Sequence, residues 1–533
     1  MKRLASILLA MLLLLTACSS NGSSVKTSDI SDTSGVAKSG LPIVSESITL
    51  KGLVNKYPDN PDWNSHPATV ELEKRTNIHV EWICIPDSGF LEKRNLLFAS
   101  NDLPDFVIRA FLTSDLEAKY SASKQIVTLD TLFNYAPNLS KLMKEDSSIL
   151  KNIKSSDGHV YSLPQLNTTQ GNLVNKYFIN EKWLQKLNLS IPKTTDELYQ
   201  TLKAFLDKDA NGNGKKDELG FSGPYKSPND MLANFYGSWG FGKNSGIIDG
   251  NMDIDDSGKI RLIAADAKFK DMLSFFNKLW KDGLLDKENF SQDIAKVVSK
   301  VTSDQVGFCS YGNNNQYLGK NRGDFVQPSA LKGPNGDNYW VNINPFVQIN
   351  GTFVITTANK NPQATMRWVD YLYSKEGTVL VRLGIEGKSY QKGGDGTYSL
   401  LEAIKHDPNG LTQDQALAKW ALYSGGNMPQ YATDKVDQSA AQLPETKAAN
   451  ATLQPNLISF DKIPRLHFSA DESIRLSNYA QDIKSYINEN VIKFITGQRD
   501  LSTYDQYVAD LNKMNVKDYK DIYQLAYERW KKN

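Results

Sequence analysis

Residues 46–110 alternate between strand and helix patterns, and this alternation restricts the chain to α/β folds. In the strand-like segments apolar and polar side chains alternate, and in the helix-like segments apolar side chains recur every three to four residues. The predicted elements are strands at 47–54, 78–82 and 106–108, with helices at 68–75 and 92–99. Strands separated by helices form parallel sheets, whose ligands bind beyond the carboxyl ends of the strands. Trp63 and Arg109 follow strands, so we predict that both face a ligand cleft.

The first residues have the pattern of a secretory signal. Lys2 and Arg3 precede an apolar run that is short for a membrane span and ends at residue 17. Cys18 follows Leu-Thr-Ala, a sequence that resembles the bacterial lipobox, so we predict that palmitate or a similar acyl chain on Cys18 anchors the protein. A plain secretory signal with an incidental cysteine is the alternative. Residues 18–45 are rich in Ser, Thr and Gly, and we predict a flexible linker there.

The remaining residues, about 490, are too many for one hydrophobic core, so two domains are expected. We assign residues 46–165 plus 352–400 to the first and residues 166–351 plus 401–533 to the second. The chain carries 61 basic and 60 acidic residues, a balance that gives no electrostatic footprint for nucleic acid. Cys84 and Cys309 are predicted to be free, although a pairing between them stays open.

A calcium-binding loop is predicted within residues 209–218. Gly214 falls at position 6, where the sharp turn of an EF-hand loop needs glycine. Position 12, usually glutamate, is glycine in this chain. The predicted ligands are the side-chain oxygens of five residues and the carbonyl of Lys215, at position 7: Asp209, Asn211, Asn213, Lys215, Asp217 and Glu218. The alternative is a polar Asn-Gly turn without a metal.

Aromatic and polar side chains in loops are candidate ligand contacts, because flat rings cover the apolar faces of sugars. Trp239 lies in a glycine-rich loop, and Tyr311 precedes a run of asparagines. Trp340 leads into a predicted strand, and Glu386 and Tyr390 precede an acidic, glycine-rich turn. For Trp239 the alternative is a core aromatic under a loop.

Several segments resemble family 1 of the extracellular solute-binding lipoproteins of ABC importers. They are residues 71–82 (ELEKRTNIHVEW), 97–106 (LFASNDLPDF), 157–164 (DGHVYSLP), 176–184 (KYFINEKWL), 191–198 (IPKTTDEL) and 384–387 (GIEG). The resemblance implies a two-domain periplasmic-binding-protein-like fold of type II that closes on its ligand by hinge motion, with extra C-terminal helices. It also implies docking on a membrane permease whose ATPase drives import. In relatives that take up oligosaccharides, the same Asp-x-Asn-x-Asn pattern is a calcium site.

Catalytic motifs are absent from the sequence: there is no G-x-S-x-G elbow and no H-E-x-x-H. We therefore predict a binding protein and not an enzyme. The alternative is a glycosidase, because its pair of catalytic carboxylates has no distinctive sequence motif. The predicted ligand is an oligosaccharide, and the alternative is a peptide or another small solute on the same fold. We expect a monomer, lipid-anchored at the extracellular face of the bacterial cytoplasmic membrane.

Overall fold

The computed structural model describes residues 35–169, 173, 176–223, 231–310, 318–424, 426–436 and 444–533. Cys18 and Tyr311 lie outside these residues. In chain order the strands are β1 (Ile48–Lys56), β2 (Ile78–Pro86), β3 (Phe106–Ile108), β4 (Leu163–Asn167), β5 (Tyr177–Asn180), β6 (Leu219–Ser222), β7 (Met252–Ile254), β8 (Ile260–Leu262), β9 (Val306–Ser310), β10 (Phe325–Val326), β11 (Val347–Ile355), β12 (Tyr390–Lys392), β13 (Tyr398–Leu400) and β14 (Gln430–Ala432).

The α-helices are α1 (Pro67–Thr76), α2 (Asp87–Ser100), α3 (Ser114–Ala122), α4 (Pro137–Glu145), α5 (Ser147–Ile153), α6 (Glu181–Lys186), α7 (Thr195–Asp207), α8 (Ala267–Lys281), α9 (Ile294–Thr302), α10 (Pro362–Tyr371), α11 (Lys375–Leu383), α12 (Glu402–Lys405), α13 (Gln413–Ala418), α14 (Pro444–Leu453), α15 (Ala470–Ser477), α16 (Ala480–Thr496), α17 (Tyr504–Asn512) and α18 (Val516–Lys532).

The first lobe is built on a six-stranded sheet with the order β14-β4-β11-β3-β1-β2. Strands β1, β2 and β3 are parallel, as the alternation over residues 46–110 predicts, whereas β11 runs antiparallel between β3 and β4. Gly52 of β1 allows close packing, since a Cβ there would lie 2.7 Å from the Phe106 ring and 2.9 Å from the Trp82 ring. A side chain at this position would therefore separate the sheet from its aromatic core.

The second lobe is built on a four-stranded sheet with the order β10-β5-β9-β6. Its helix α8 packs against the long C-terminal helix α16, and Asn277 Nδ2 donates hydrogen bonds to the carbonyls of Phe494 and Ile495. The buried faces of both helices belong to one hydrophobic core. The predicted two-domain α/β fold with additional C-terminal helices is thus confirmed.

The chain passes from one sheet to the other after β4 and between β10 and β11, and after β14 it continues into helices that pack on the second lobe. Residues 347–351 and 430–432 pair in the sheet of the first lobe, whereas the sequence analysis assigns them to the second domain. The reason is that a strand joins a sheet through backbone hydrogen bonds, which leave little trace in the side chains.

Residues 36–44 fold onto the first lobe, although the predicted flexible linker extends to residue 45. Val36 pairs with Val44 in a short antiparallel bridge, and the Ile43 N–H donates to the carbonyl of Thr76. Val36, Ile43 and Val44 are buried in the core of the first lobe. These apolar contacts and backbone hydrogen bonds hold the segment against the first lobe.

A C-terminal segment, residues 464–470, crosses from the second lobe to the first. Arg465 donates its backbone N–H to Asn152 Oδ1 and its guanidinium to the carbonyls of Val347 and Gln348. Asn152 Oδ1 also accepts from the Trp530 indole of α18. The start of β11 is therefore held by this segment as well as by its own sheet.

Candidate functional site

Polar side chains gather where the chain leaves the first lobe. Gln165 Nε2 lies 2.6 Å from Gln348 Oε1, and Asn167 Nδ2 lies 3.1 Å from the same oxygen. Gln165 Nε2 also lies 3.5 Å from the Tyr423 hydroxyl. Gln165 and Asn167 are buried, whereas Gln348 and Tyr423 are half-buried and reach the surface. We name Gln165, Asn167 and Gln348 the amide cluster.

A second polar group lies at the matching ends of the second-lobe strands. Asn234 Nδ2 donates to the carbonyl of Lys176, just before β5, and to Ser310 Oγ, the last residue of β9, both at 3.1 Å. Asn342, between β10 and β11, donates to Asn234 Oδ1 at 2.8 Å. Burial lowers the pKa of Lys176 to about 8, and its ammonium donates to the carbonyl of Leu173. Hydrogen-bonding side chains therefore lie beside two of the connections between the lobes.

Arg109, a predicted ligand contact, is fully buried in the first lobe. Its guanidinium donates to the carbonyls of Leu422 and Ser424 and lies 5.0 Å from the centre of the Tyr57 ring. Burial lowers the pKa of Arg109 to about 10, and the nearby Asp87 carboxylate offsets only part of this effect. In this position the side chain joins residues 422–424 to the sheet, and a ligand could reach it only after they move.

Trp63, another predicted contact, is 1% exposed. Its ring packs edge-to-face on Trp82 at 4.8 Å and lies 5.4 Å from the Arg109 guanidinium. The loop that carries it is proline-punctuated, as the sequence indicates, but folds inward over β2. The structure therefore gives Trp63 a packing role.

Trp239 and Trp340 are both 1% exposed and belong to the core of the second lobe. Trp239 packs on Phe275 at 5.7 Å, and Trp340 packs edge-to-face on Tyr177 at 5.0 Å. The glycine-rich segment around Trp239 is a 3₁₀ turn, in which a Cβ at Gly237 would lie 1.7 Å from the Tyr339 carbonyl oxygen. For Trp239 the core alternative fits the structure, because glycine here allows close packing instead of mobility.

Glu386 and Tyr390 lie at the small β12–β13 hairpin. Glu386 is exposed, and Tyr390 packs on Tyr398 with ring centres 5.6 Å apart. Burial and the nearby Glu386 carboxylate raise the pKa of Tyr390 to about 12. Their predicted contact with a ligand stays a prediction, and so does that of Tyr311.

The sequence analysis missed the amide cluster, although a signal was present. Gln165 and Asn167 interrupt the apolar strand LPQLN, and Gln348 and Asn350 interrupt VQIN in β11. Polar side chains that recur within a buried strand need partners, and here they find one another across β4 and β11.

The predicted calcium loop connects α7 to β6. The Asp209 carboxylate accepts hydrogen bonds from the N–H groups of Gly212 and Gly214, and Gly214 has a φ of +74°. Asp217 Oδ1 accepts from the side-chain amides of Asn211 and Asn213 at 2.9 and 3.0 Å, and these bonds lower the pKa of Asp217. Acidic and amide side chains thus face one another around the glycine turn, as the spacing predicts.

The loop fits a calcium ion by its donor set. The Glu218 carboxyl is buried, and its Oε1 has no hydrogen-bond partner among the described residues. Within the described ranges, no three His, Cys, Asp or Glu side chains gather as a metal site, so amide and carbonyl oxygens would have to complete the shell. Calcium accepts such mixed oxygen ligands.

The family assignment rests on both sequence and fold. The sequence model described as bacterial extracellular solute-binding protein matches residues 66–379, more than half of the chain. The chain belongs to this family. The predicted resemblance is therefore confirmed, and the family is one of solute-binding proteins. In the part of this solute-binding protein that the structure describes, no helix combines the length and apolarity needed to cross a membrane.

Two curated relatives extend the match over most of the chain. The fructooligosaccharide ABC transporter substrate-binding protein FusA of Streptococcus pneumoniae serotype 4 is 28% identical over 503 residues, which cover 92% of this chain and 91% of the relative. Lipoprotein LipO of Bacillus subtilis is 27% identical over 384 residues, covering 68% and 71%.

The solved structure of FusA of S. pneumoniae with kestose superposes on this solute-binding protein with a TM-score of 0.71 at 25% identity. The alignment covers 91% of this chain and 100% of that one. A structure of a FusA EF-hand mutant with fructo-nystose gives a TM-score of 0.72 at the same identity and coverage.

Proposed function

We propose that this protein binds an oligosaccharide between its two lobes and delivers it to the permease of an ABC importer. Acylated Cys18 holds the protein, as a monomer, at the extracellular face of the cytoplasmic membrane. The basic and apolar N-terminus supports the anchor, and so does the likeness to a lipoprotein. The likeness to a fructooligosaccharide-binding protein over most of both chains supports the ligand class.

The observation that carries the proposal is the amide cluster beside the connections between the lobes. Lobes joined by a few connections can close by hinge motion, and a ligand that contacts both lobes favours the closed state. Amides that both donate and accept hydrogen bonds suit hydroxyl groups, which do the same. This protein would need no nucleotide of its own, because the ATPase of the importer supplies the energy for import.

The first prediction concerns ligand-induced stabilisation of the full-length protein, purified in a mild detergent. We expect one class of oligosaccharide to raise the melting temperature, because a ligand that binds only the folded state stabilises it by mass action. At a ligand concentration 100-fold above Kd the stabilisation is about 2.7 kcal/mol. A thermal-shift screen of fructo-oligosaccharides, uronate oligomers and mixed peptides measures this.

Peptides alone raising the melting temperature would contradict the sugar proposal and favour the peptide alternative. Shortened sugars on long incubation, detected by chromatography, would instead reveal hydrolysis and overturn the assignment as a binding protein. A sugar that stabilises the protein and is recovered intact supports the proposal.

We also propose that the loop over residues 209–218 holds a structural calcium ion. Asp209, Asn211, Asn213, Asp217 and Glu218 would supply side-chain oxygens, and Lys215 would supply its carbonyl. The buried, unpartnered Glu218 Oε1 supports this, as does the FusA structure described as an EF-hand mutant. The ion would fix the connection between α7 and β6 and take no part in chemistry.

The second prediction is that EDTA lowers the melting temperature, with a loss of about 2.7 kcal/mol relative to calcium at 100-fold above Kd. Asp209→Ala should abolish this response, since it removes a charged ligand. Lys215→Ala is the matched control: the side chain is exposed, and the loop would use only its backbone carbonyl. A wild-type melting temperature that is the same in calcium and in EDTA would contradict the calcium proposal.

A further inference from the structure

Two buried side-chain amides lack hydrogen-bond partners among the described residues. Asn427 is 1% exposed and Gln430 is fully buried, and in each case neither the oxygen nor the nitrogen of the amide is bonded. Asn427 has a φ of 54°. Leaving such groups unpaired costs free energy, so a native protein normally provides a partner for them. That partner can be a ligand or water.

Both amides lie next to the amide cluster. Gln430 of β14 pairs in register with Gln165 of β4, which places the two side chains on the same face of the sheet. The N–H of Met428, between Asn427 and Gln430, donates to Gln165 Oε1 at 3.2 Å. Gln430 therefore lies beside the cluster that reaches the surface at Gln348 and Tyr423, and Asn427 directly precedes the residue whose N–H contacts that cluster.

Three arginines that the structure describes near the amide cluster already make contacts within the protein. Arg109 donates to the carbonyls of Leu422 and Ser424, and Arg465 donates to those of Val347 and Gln348. The Arg382 guanidinium lies on the Tyr423 ring, 4.1 Å from its centre. A ligand carboxylate would need such cations as partners, and competing with these contacts for them is costly.

We propose that Asn427 and Gln430 extend the amide cluster into a site for the hydroxyl groups of a neutral oligosaccharide, and that this site disfavours acidic sugars. The inference rests on the proposed function and adds the ligand's charge and the residues that recognise it. Each amide offers donors and an acceptor, which match a hydroxyl group that donates and accepts at once. A carboxylate can only accept, so it would leave the amide oxygens unpaired.

The test is calorimetric titration of the full-length protein in mild detergent with kestose, a neutral trisaccharide, and with trigalacturonate. Gln430→Leu replaces the amide by an apolar side chain of similar size. We expect an unchanged or higher melting temperature without ligand, because an unpaired buried group is removed, and at least about tenfold weaker binding of kestose. A packing role alone would not move these two quantities in opposite directions.

Asn427→Gly is the second variant, since glycine tolerates the positive φ and only the amide is lost. Gln481→Leu, on the exposed face of α16, is the control and should bind kestose as the wild type does. Unchanged affinity in both amide variants would mean that water satisfies these groups and would overturn the inference. Tighter binding of trigalacturonate than of kestose would overturn it too, while the proposed oligosaccharide function would stand. Failure of the wild type to bind any oligosaccharide of the screen would overturn both.

Discussion

Trp239→Ala is expected to lower the free energy of unfolding of the second lobe by about 3–5 kcal/mol, as large-to-small changes in a core do. The indole is 1% exposed and packs on Phe275 within the core that α8 and α16 share. Truncation leaves a cavity that the surrounding rings cannot fill. Chemical unfolding followed by circular dichroism measures the loss.

Trp239→Phe is the matched control, because it keeps an aromatic ring in the cavity and should lose clearly less stability. Sugar affinity of this variant, measured well below its melting temperature, should equal that of the wild type. The opposite pattern, in which Trp239→Ala keeps its stability and loses its affinity, would restore the stacking role that the sequence suggests.

Acidification is expected to destabilise the first lobe through His66. The ring is fully buried: Nδ1 accepts the Ala68 N–H at the start of α1, and Nε2 donates to the carbonyl of Ala418 at 3.1 Å. Both nitrogens are satisfied only in the neutral form. Burial, together with a smaller contribution from the charge of Arg109, lowers the pKa of His66 to about 4.

The direction of this pH effect follows from the difference in proton binding between the folded and the unfolded state. In the unfolded state the His66 ring has a pKa near 6.5, whereas in the folded state it becomes protonated only near pH 4. This contribution to stability is complete above pH 6.5 and is lost as the pH falls toward 4. At about 1.4 kcal/mol per pH unit, the loss between pH 7 and pH 4.5 is about 2–3 kcal/mol.

Urea unfolding at pH 7 and pH 4.5 tests this effect. His66→Gln should show a pH dependence smaller than that of the wild type by about 2–3 kcal/mol, since it removes the titrating group. His406→Gln, at an exposed position, should keep the dependence of the wild type. Equal dependence in His66→Gln and the wild type would rule out His66 as the source.

The loop at residues 209–218 could be predicted because its geometry is local. Spacing alone brings Asp209, Asn211, Asn213 and Asp217 around Gly214, and the structure contains those contacts. The first five elements of the chain were likewise predictable, since alternation of strand and helix dictates a parallel sheet. The burial of Trp63 and Trp340 was not predicted, and for Trp239 it was one of two alternatives, because a sequence records that an aromatic follows a glycine or a strand but not which surface covers it.

The sequence by itself determined the α/β class, the two-lobe plan, the family and the turn of the calcium-like loop, since each depends on residues close together in the chain or on their order. Only the tertiary structure decided that Arg109 binds backbone carbonyls, that Trp63 and Trp239 pack in cores, and that β14 joins β4. It also brought Gln165, Gln348 and Gln430 together across strands far apart in sequence. Burial and pairing between distant segments depend on the packing of the whole chain, which local patterns do not encode.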